Sequence, residues 1–357
     1  MQEYMKEFNA VSKFAIDGEV KSIAPYGEGH INSTFLVETT EKNYILQRIN
    51  TVVFKNPMGV MENIVRVTEH LGKKGVLSLN VIKTNDGEIM LETENGCYRV
   101  YDFIEDSITY QKVENAELFR NSGYAFGEFQ NYLSDFDASV LHETIARFHD
   151  TPNRFENLKE AIRLNKSGRL ETCADEVAFV MERADTFDKV VKGIDNKTIP
   201  LRVTHNDTKL NNILMEPKDN TGKAVIDLDT VMPGSMLYDF GDSIRFGANT
   251  TAEDEKDIDK VRFDIDLFRA YAEGFCSALG DSMTDREREL LPYSAYLMTI
   301  ECGMRFLTDY IDGDTYFATK YPDHNLVRCR TQLKLAREMQ EQENEMARII
   351  DEICANL

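Results

Sequence analysis

The segment VTHNDTKLNNILM, residues 203–215, places His205, Asp207 and Asn212 within eight consecutive positions between two apolar stretches. The apolar residues on each side, IPLRV before and NILM after, predict a strand, a loop and a second strand. A turn between strands needs only glycine, asparagine, aspartate or proline for its backbone angles. The loop is therefore more polar than its geometry requires. Such a loop, held by buried strands, indicates a site of chemistry.

The spacing of these residues, H-x-D-x-x-x-x-N, matches the catalytic loop of protein kinases. Phosphoryl transfer needs a carboxylate that orients the attacking hydroxyl and accepts its proton, and an oxygen ligand for the metal ion that holds the phosphates. We expect Asp207 to be the base and Asn212 to be a metal ligand. Lys209 follows the aspartate by two positions, where many protein kinases also have a lysine, and is predicted to be catalytic. What the resemblance to kinases implies for His205 is that it braces the loop rather than carries a proton.

A second metal ligand is predicted on the strand that follows, KAVIDLDT. Asp227 lies 15 positions after Asn212, across a turn indicated by KDNTGK, and can return to the same metal ion. The letters DFG at residues 239–241 copy the metal motif of protein kinases, but Asp239 lies 27 positions after Asn212. The spacing favours Asp227. Carboxylate and amide oxygens are hard ligands, so we expect Mg²⁺.

The elements around the loop predict a two-lobed α+β fold like that of protein kinases. Residues 20–50 alternate apolar and polar side chains, as in antiparallel hairpins, and residues 56–75 have a helical apolar period. Residues 1–103 are therefore predicted to form a small β-rich, nucleotide-binding lobe with one long helix. Residues 104–357 are predicted to form a larger, mainly helical lobe for catalysis and acceptor binding. Its tail, residues 325–357, is expected to be a packing helix, with a break as an alternative.

Composition excludes several classes of protein. With 62 acidic and 41 basic residues the formal charge is −21, and a nucleic acid would be repelled. The six cysteines are scattered singly, which predicts neither a disulfide framework nor a zinc site. The chain has no apolar run of membrane-spanning length, no G-x-S-x-G motif and no P-loop motif. We expect a cytoplasmic protein that binds no membrane.

Several longer segments resemble bacterial N-acetylhexosamine 1-kinases, within the aminoglycoside phosphotransferase and choline kinase superfamily. They are PYGEGHINSTFLV, YILQRIN, FHDTPNRF, LRVTHNDTKLNNILM, IDLDTVMPGSMLYDFGDSIRFGA, ECGMRFL and GDTYFATKYPDHNLVRCRTQ, which together extend over nearly the whole chain. The resemblance implies a kinase of carbohydrate metabolism. It would transfer the γ-phosphoryl group of ATP to the C1 hydroxyl of GlcNAc or GalNAc with Mg²⁺. A monomer is expected.

For the nucleotide, the resemblance implies a glycine-rich turn with Gly27 and Gly29, and a connector near Tyr101 and Phe103. Gln47 stands where the superfamily normally has a lysine or arginine that holds the phosphates. We expect Gln47 to line this site, with Mg²⁺ and Lys209 meeting the phosphate charge. The missing cation leaves a non-catalytic nucleotide- or sugar-binding protein as an alternative.

For the acceptor, the resemblance implies binding by residues from both lobes, His30, Asp242, Arg305 and Tyr316, whereas Asp239 would be structural. An arginine or tyrosine on a helix is more often a packing residue. A kinase for an aminoglycoside or an amino alcohol is the alternative enzyme, because a cationic acceptor would profit from acidic surroundings.

Overall fold

An antiparallel sheet of six strands forms the centre of the first lobe in the computed structural model, which describes residues 4–27 and 31–357. The strands are β1 Val20–Pro25, β2 Ser33–Thr39, β3 Asn43–Ile49, β4 Val81–Ile82, β5 Leu91–Thr93 and β6 Gly96–Asp102. Their order is β1-β2-β3-β6-β4, and β5 also pairs with β6. The predicted hairpin series is confirmed.

The register of this sheet brings three polar residues into one row. Thr34 on β2 pairs with Gln47 on β3, and Gln47 pairs with Arg99 on β6. Residues directly opposite one another on antiparallel strands point to the same face of the sheet. Gln47 therefore shares its face with an arginine of the next strand.

Two helices accompany the sheet, α1 Met5–Val11 and α2 Pro57–Lys73. The Asn56 side chain caps α2 by accepting a hydrogen bond from the Gly59 N–H at 3.0 Å, and proline occupies the first helical position. The apolar stripe of α2 packs in one cluster with Leu228 and Val231 of the second lobe. This hydrophobic cluster crosses the predicted lobe boundary at residue 103 and fixes the segment after Asp227.

The second lobe is mainly helical. Its helices are α3 Ala116–Tyr132, α4 Thr151–Leu164, α5 Ala174–Met181, α6 Lys189–Asp195, α7 Met236–Gly247, α8 Ile265–Leu279, α9 Asp285–Asp312, α10 His324–Glu341 and α11 Glu343–Ala355. The tail is thus two helices that meet at Gln342, and the alternative of a break is confirmed. No helix in residues 4–27 and 31–357 is both long and apolar enough to cross a bilayer.

Helices α3 and α8 cross so closely that their contact requires glycine. A Cβ atom added at Gly123 would collide with the main-chain oxygen of Tyr271, and one at Gly274 with that of Arg120. The two backbones approach each other where neither helix has a side chain. This crossing forms part of the large hydrophobic core beneath the polar loop.

Four short strands position the loop: β7 Arg202–Thr204, β8 Ile213–Met215, β9 Gly222–Val225 and β10 Met232–Gly234. β8 and β9 form an antiparallel hairpin, and β7 pairs with β10. The predicted order of strand, loop and strand is confirmed, with strands shorter than the apolar stretches. Asp227 lies two residues after β9, and the hairpin brings it back beside the loop.

Candidate active site

The loop between β7 and β8 is held by its first two residues. His205 is fully buried, and its Nε2 lies 2.8 Å from the main-chain oxygen of Ile226. Its ring packs edge-on against Phe126, with 5.6 Å between ring centroids. Asn206 has a left-handed backbone, with φ of 65°, a conformation that asparagine tolerates well. These contacts support the bracing role predicted for His205.

Asp239, at the start of α7, is the group that holds this backbone. It is fully buried, and its carboxylate accepts hydrogen bonds from the main-chain N–H groups of His205 at 2.9 Å and Asn206 at 2.7 Å. The amide of Gln130 donates a third, at 2.7 Å. Burial raises the pKa of Asp239, and these hydrogen bonds oppose the rise. A buried carboxylate that accepts three hydrogen bonds suits the structural role predicted for Asp239.

Asp207 is the loop carboxylate that reaches the cleft, with 28% of its side chain exposed. Its Oδ1 lies 2.7 Å from the Lys209 ammonium. The Asn212 amide donates to its Oδ2 at 3.1 Å and to its main-chain oxygen at 2.8 Å. Desolvation in the cleft pushes the pKa of Asp207 upward, but the charges of Lys209, His205 and Arg245 outweigh it and lower the pKa. Asp207 is therefore ionised at neutral pH and can accept a proton.

Asp227 and Asn212 are the two residues predicted to bind the metal ion. Asp227 has a left-handed backbone, with φ of 58° and ψ of 56°, and its side chain is exposed in the cleft. Desolvation by the cleft walls, together with the charges of Asp229 and Asp207, raises the pKa of Asp227 to about 6. A cation would relieve this repulsion. The Asn212 amide nitrogen is used on Asp207, so the amide oxygen is the atom available to a metal ion.

The donor set fits Mg²⁺ bound together with phosphate. Among the residues that the structure describes, no group of three or more histidine, cysteine, aspartate and glutamate side chains is arranged to hold a metal ion. Mg²⁺ commonly takes only one or two carboxylates from the protein and completes its shell with water and phosphate oxygens. One carboxylate and one amide oxygen suffice for such a site.

On the nucleotide side, the structure tests the predicted turn in part. Gly27 has φ of +76°, which favours glycine, and Gly29 lies outside the described residues. Tyr26 beside it packs edge-on against Phe103 of the connector, with 5.7 Å between ring centroids. The residue before Gly27 therefore contacts the connector. The Tyr101 side chain is only 3% exposed and belongs to the hydrophobic core, so the prediction that the connector meets the nucleotide concerns its backbone.

Gln47 is bonded to a cation that the sequence analysis missed. Its Oε1 accepts hydrogen bonds from Arg99 Nε at 2.9 Å and Nη2 at 2.7 Å, and its amide donates to Thr34 at 3.0 Å. The other edge of the Arg99 guanidinium pairs with Asp229, two residues after Asp227. Asn32 donates to the same carboxylate at 2.5 Å. An arginine between the apolar and aromatic residues of CYRVY, within β6, was the available signal.

On the acceptor side, Asp242 is buried and pairs with Arg245 at 2.8 Å, and Arg245 also contacts Glu253 at 3.0 Å. Cys302 of α9 lies close to this group: burial raises the pKa of its thiol to about 11, and the charge of Arg245 opposes the rise. One turn further along α9, the Arg305 guanidinium lies over the ring of Phe148, 5.2 Å from its centroid. The predicted acceptor residues Asp242 and Arg305 therefore lie on neighbouring helices.

Tyr316, the third described acceptor candidate, lies on an exposed loop, and 62% of its surface is accessible. Its ring packs edge-on against Phe317, with 4.8 Å between ring centroids, and the Arg305 guanidinium lies 5.5 Å from the centroid of the same Phe317 ring. This places Tyr316 near Arg305. The fourth candidate, His30, lies outside the described residues.

The loop that carries Tyr316 is fixed by Asp309, a second residue that the sequence analysis missed. The Asp309 carboxylate accepts hydrogen bonds from the main-chain N–H groups of Thr315 and Tyr316, each at 2.8 Å, and of Phe317 at 2.9 Å. The amide of Asn325 donates to it at 2.9 Å. The sequence offers no local signal for these contacts.

Solved structures with the same fold are kinases of small molecules. A microcompartment-associated aminopropanol kinase superposes with a TM-score of 0.64 at 13% identity, covering 96% of this chain and 98% of the other. A spectinomycin phosphotransferase in complex with ADP and spectinomycin gives 0.56 at 13%, with 96% and 98% covered. Choline kinase from Cryptosporidium parvum gives 0.59 at 12%, with 96% and 93% covered. At such identities these structures show the fold, the predicted two-lobed kinase-like architecture.

The family is shown by the sequence itself. Residues 22–289, about three quarters of the chain, match the model of the phosphotransferase enzyme family, which includes aminoglycoside phosphotransferases. The matched region contains the loop with Asp207 and Asn212, the carboxylate Asp227 and the anchor Asp239. The chain therefore belongs to the phosphotransferase enzyme family and is a small-molecule kinase.

Proposed function

We propose that this kinase transfers the γ-phosphoryl group of ATP to the C1 hydroxyl of an N-acetylhexosamine, GlcNAc or GalNAc, with Mg²⁺. The observation that carries the choice of acceptor is the pairing of charges beside Asp207. Asp207 pairs with Lys209, and Asp242 and Glu253 both pair with Arg245. Each of these three carboxylates already has a cationic partner.

This arrangement favours a neutral acceptor over a cationic one. An ammonium group would have to compete with Lys209 and Arg245 for the carboxylates, and like charges in one cleft repel each other. A sugar hydroxyl or an N-acetyl group needs hydrogen-bond donors and acceptors instead. Asp242, Arg305 and Tyr316 supply both kinds. The segments that resemble N-acetylhexosamine 1-kinases support the same acceptor.

The chemistry follows from the position of Asp207. Its carboxylate accepts the proton of the C1 hydroxyl while the C1 oxygen forms a bond to the γ-phosphorus and the bond from this phosphorus to the β–γ bridging oxygen breaks, releasing ADP. A hemiacetal hydroxyl is more acidic than an ordinary alcohol, which suits a carboxylate base. Asn212 orients Asp207 through two hydrogen bonds, and Lys209 holds its other oxygen.

Asn212 and Asp227 are the residues that would bind Mg²⁺, which neutralises charge on the phosphates when it is bound. Asn212 would connect the metal to the base, since its amide nitrogen donates to Asp207 and its amide oxygen is available to the metal ion. The protein thereby sets the distance between the acceptor hydroxyl and the phosphates.

The test is product analysis by phosphorus NMR and mass spectrometry. The purified protein is incubated with MgATP and, separately, GlcNAc, GalNAc, glucose, galactose, kanamycin and choline. We expect a sugar 1-phosphate from an N-acetyl sugar, with a kcat/KM at least about tenfold above those of the other acceptors, since a polar site left unpaired by a wrong substrate loses much of its binding energy.

Three results would contradict the proposal. Faster phosphorylation of kanamycin or choline than of either N-acetyl sugar would assign a cationic acceptor. Phosphate on C6 rather than C1 would assign another hydroxyl. Binding of MgADP without turnover of any acceptor would instead indicate a non-catalytic nucleotide-binding protein.

A further inference from the structure

We propose that Arg99 supplies the positive charge at the nucleotide phosphates that Gln47 cannot supply, and that Asp229 and Gln47 hold its guanidinium in place for this role. The inference rests on the proposed use of ATP. It concerns a different part of the site from the acceptor, and it explains how a kinase functions with a neutral residue at a position where a cation is usual.

The first step is the register of the sheet. Gln47 and Arg99 are directly opposite each other on β3 and β6 and share a face. Arg99 donates two hydrogen bonds to the Gln47 side chain, so its guanidinium lies against the end of that side chain. The positive charge of Arg99 therefore lies on the same face of the sheet as a cation at position 47 would, but it comes from the neighbouring strand β6.

The second step is the direction in which the guanidinium points. Its Nη1 pairs with Asp229, and the charge of Asp227 also acts on it, raising its pKa against the effect of burial. Arg99 thus faces the segment that carries the predicted metal ligand. Lys209 pairs with Asp207 and is also stabilised by the charge of Asp242. Lys209 is thus paired with the predicted base, whereas Arg99 is paired with a carboxylate two residues from the predicted metal ligand.

The third step is the burial of the pair, in which Arg99 is 1% exposed and Asp229 3%. A buried guanidinium needs a counter-charge, and Asp229 provides it when no phosphate is present. Asn32, which directly precedes β2, also bonds to Asp229 and connects the nucleotide turn to this ion pair. Phosphate oxygens that approach between Asn32 and Asp227 would compete with Asp229 for Arg99, whose planar donors suit phosphate.

The test compares variants that differ only in this charge. Arg99→Met alone would leave Asp229 buried and unpaired, so the comparison uses Asp229→Asn against the double variant Arg99→Met/Asp229→Asn, with thermal unfolding to confirm the fold. Affinities for MgADP and for adenosine are measured by calorimetry. Adenosine has the same base and sugar but no phosphate, so it reports on the shape of the site alone.

We expect the double variant to bind MgADP at least tenfold more weakly than Asp229→Asn, with adenosine affinity changed by less than twofold. A third variant, adding Gln47→Lys to the double variant, returns a cation to β3 and should restore at least half of the lost MgADP affinity on a logarithmic scale. The KM for ATP should follow the same order.

Equal MgADP affinity in Asp229→Asn and the double variant would overturn the inference. Parallel loss of ADP and adenosine affinity would also overturn it, because it would show that Arg99 only maintains the fold. If the unaltered protein binds neither MgADP nor MgATP, the proposed function itself fails. If it binds them and the double variant is unaffected, only the role of Arg99 fails.

Discussion

Asn212 donates one hydrogen bond to the Asp207 carboxylate, at 3.1 Å, and a second to the Asp207 main-chain oxygen, at 2.8 Å. The residue expected to bind the metal ion is thus also the residue that fixes the expected base. The expected base and the expected metal site are connected through the Asn212 side chain. Substitutions at Asp207 and Asn212 should therefore affect nucleotide binding and catalysis to different extents.

Replacing Asp207 by asparagine should remove the proton acceptor with little change of shape. We expect kcat to fall by a factor of about 10² to 10⁴, the usual contribution of a general base, with MgADP affinity nearly unchanged. Steady-state ADP release and calorimetric MgADP binding measure the two effects. Asp219→Asn, on the exposed turn between β8 and β9, is the matched control. Full activity of Asp207→Asn would rule out Asp207 as the base.

Asp227→Ala and Asp239→Ala should have opposite consequences. Asp227→Ala should abolish the part of ADP affinity that depends on Mg²⁺ while the protein stays folded. Asp239→Ala removes the acceptor of three buried hydrogen bonds, at about 1–3 kcal/mol for each donor left unsatisfied, and should mainly destabilise the protein. Urea unfolding and ADP titrations with and without Mg²⁺ measure both effects. Loss of metal dependence in a stable Asp239→Ala variant would make the DFG sequence the metal motif.

Arg305→Gln should weaken binding of the acceptor without affecting binding of ATP. Arg305 lies over the rings of Phe148 and Phe317, at 5.2 and 5.5 Å from their centroids, and can donate to sugar oxygens. We expect the KM for the N-acetyl sugar to rise about tenfold, as for a lost charged hydrogen bond of about 1.5 kcal/mol, with an unchanged KM for ATP. Arg286→Gln, at a partly exposed arginine on the same helix, is the control. An equal rise in both KM values would indicate a general disturbance of the fold.

Asp309→Ala should loosen the loop that carries Tyr316, because three main-chain N–H groups lose their acceptor. Hydrogen exchange followed by mass spectrometry should show faster exchange in a peptide covering residues 313–320, by at least about tenfold if 1.4 kcal/mol of local stability is lost. Peptides from the β8–β9 hairpin should not change. Unchanged exchange in residues 313–320 would show that other contacts hold the loop.

Gly274→Ala should destabilise the protein, since the added methyl group meets the main chain of Arg120 and the two helices must separate. Overpacking of this kind costs about 1–3 kcal/mol. Gly72→Ala is a matched control on α2, where a Cβ atom meets nothing within 4 Å, and should leave stability unchanged or raise it by up to about 1 kcal/mol. Similar unfolding free energies for the two variants would mean that α3 and α8 can adjust without cost.

Local spacing explains which parts of this structure could be predicted from the sequence. The strand, the loop and the hairpin are specified by neighbouring residues. The relative positions of Asp207, Asn212 and Asp227 could therefore be predicted from the 25 residues 203–227. The same holds for α2 and for the buried face of α3, where one helical period specifies the core.

Contacts between distant positions could not be predicted in this way. Arg99 and Asp229 are 130 positions apart, and only the pairing of β3 with β6 and the packing of α2 on residues 228–231 bring them together. Asp309 accepts hydrogen bonds from main-chain N–H groups, and the residue types do not show how such groups are oriented. The burial of the Tyr101 side chain in one cluster with the apolar residues of α2 likewise depends on packing between distant segments.

The anchoring of the loop by Asp239 has a consequence for how such a kinase can evolve. Asp239 lies in the first turn of α7, and Thr208 and Ser243 add hydrogen bonds between the loop and this helix, at 2.6 and 2.7 Å. Loop and helix are therefore one rigid body, and Asp242 and Arg245 keep a constant distance from Asp207. Mutations on the cleft-facing surfaces of α7 and α9 can alter which acceptor is chosen without displacing the base. With the acceptor bound at the proposed site, selection can therefore change substrate preference while conserving the base.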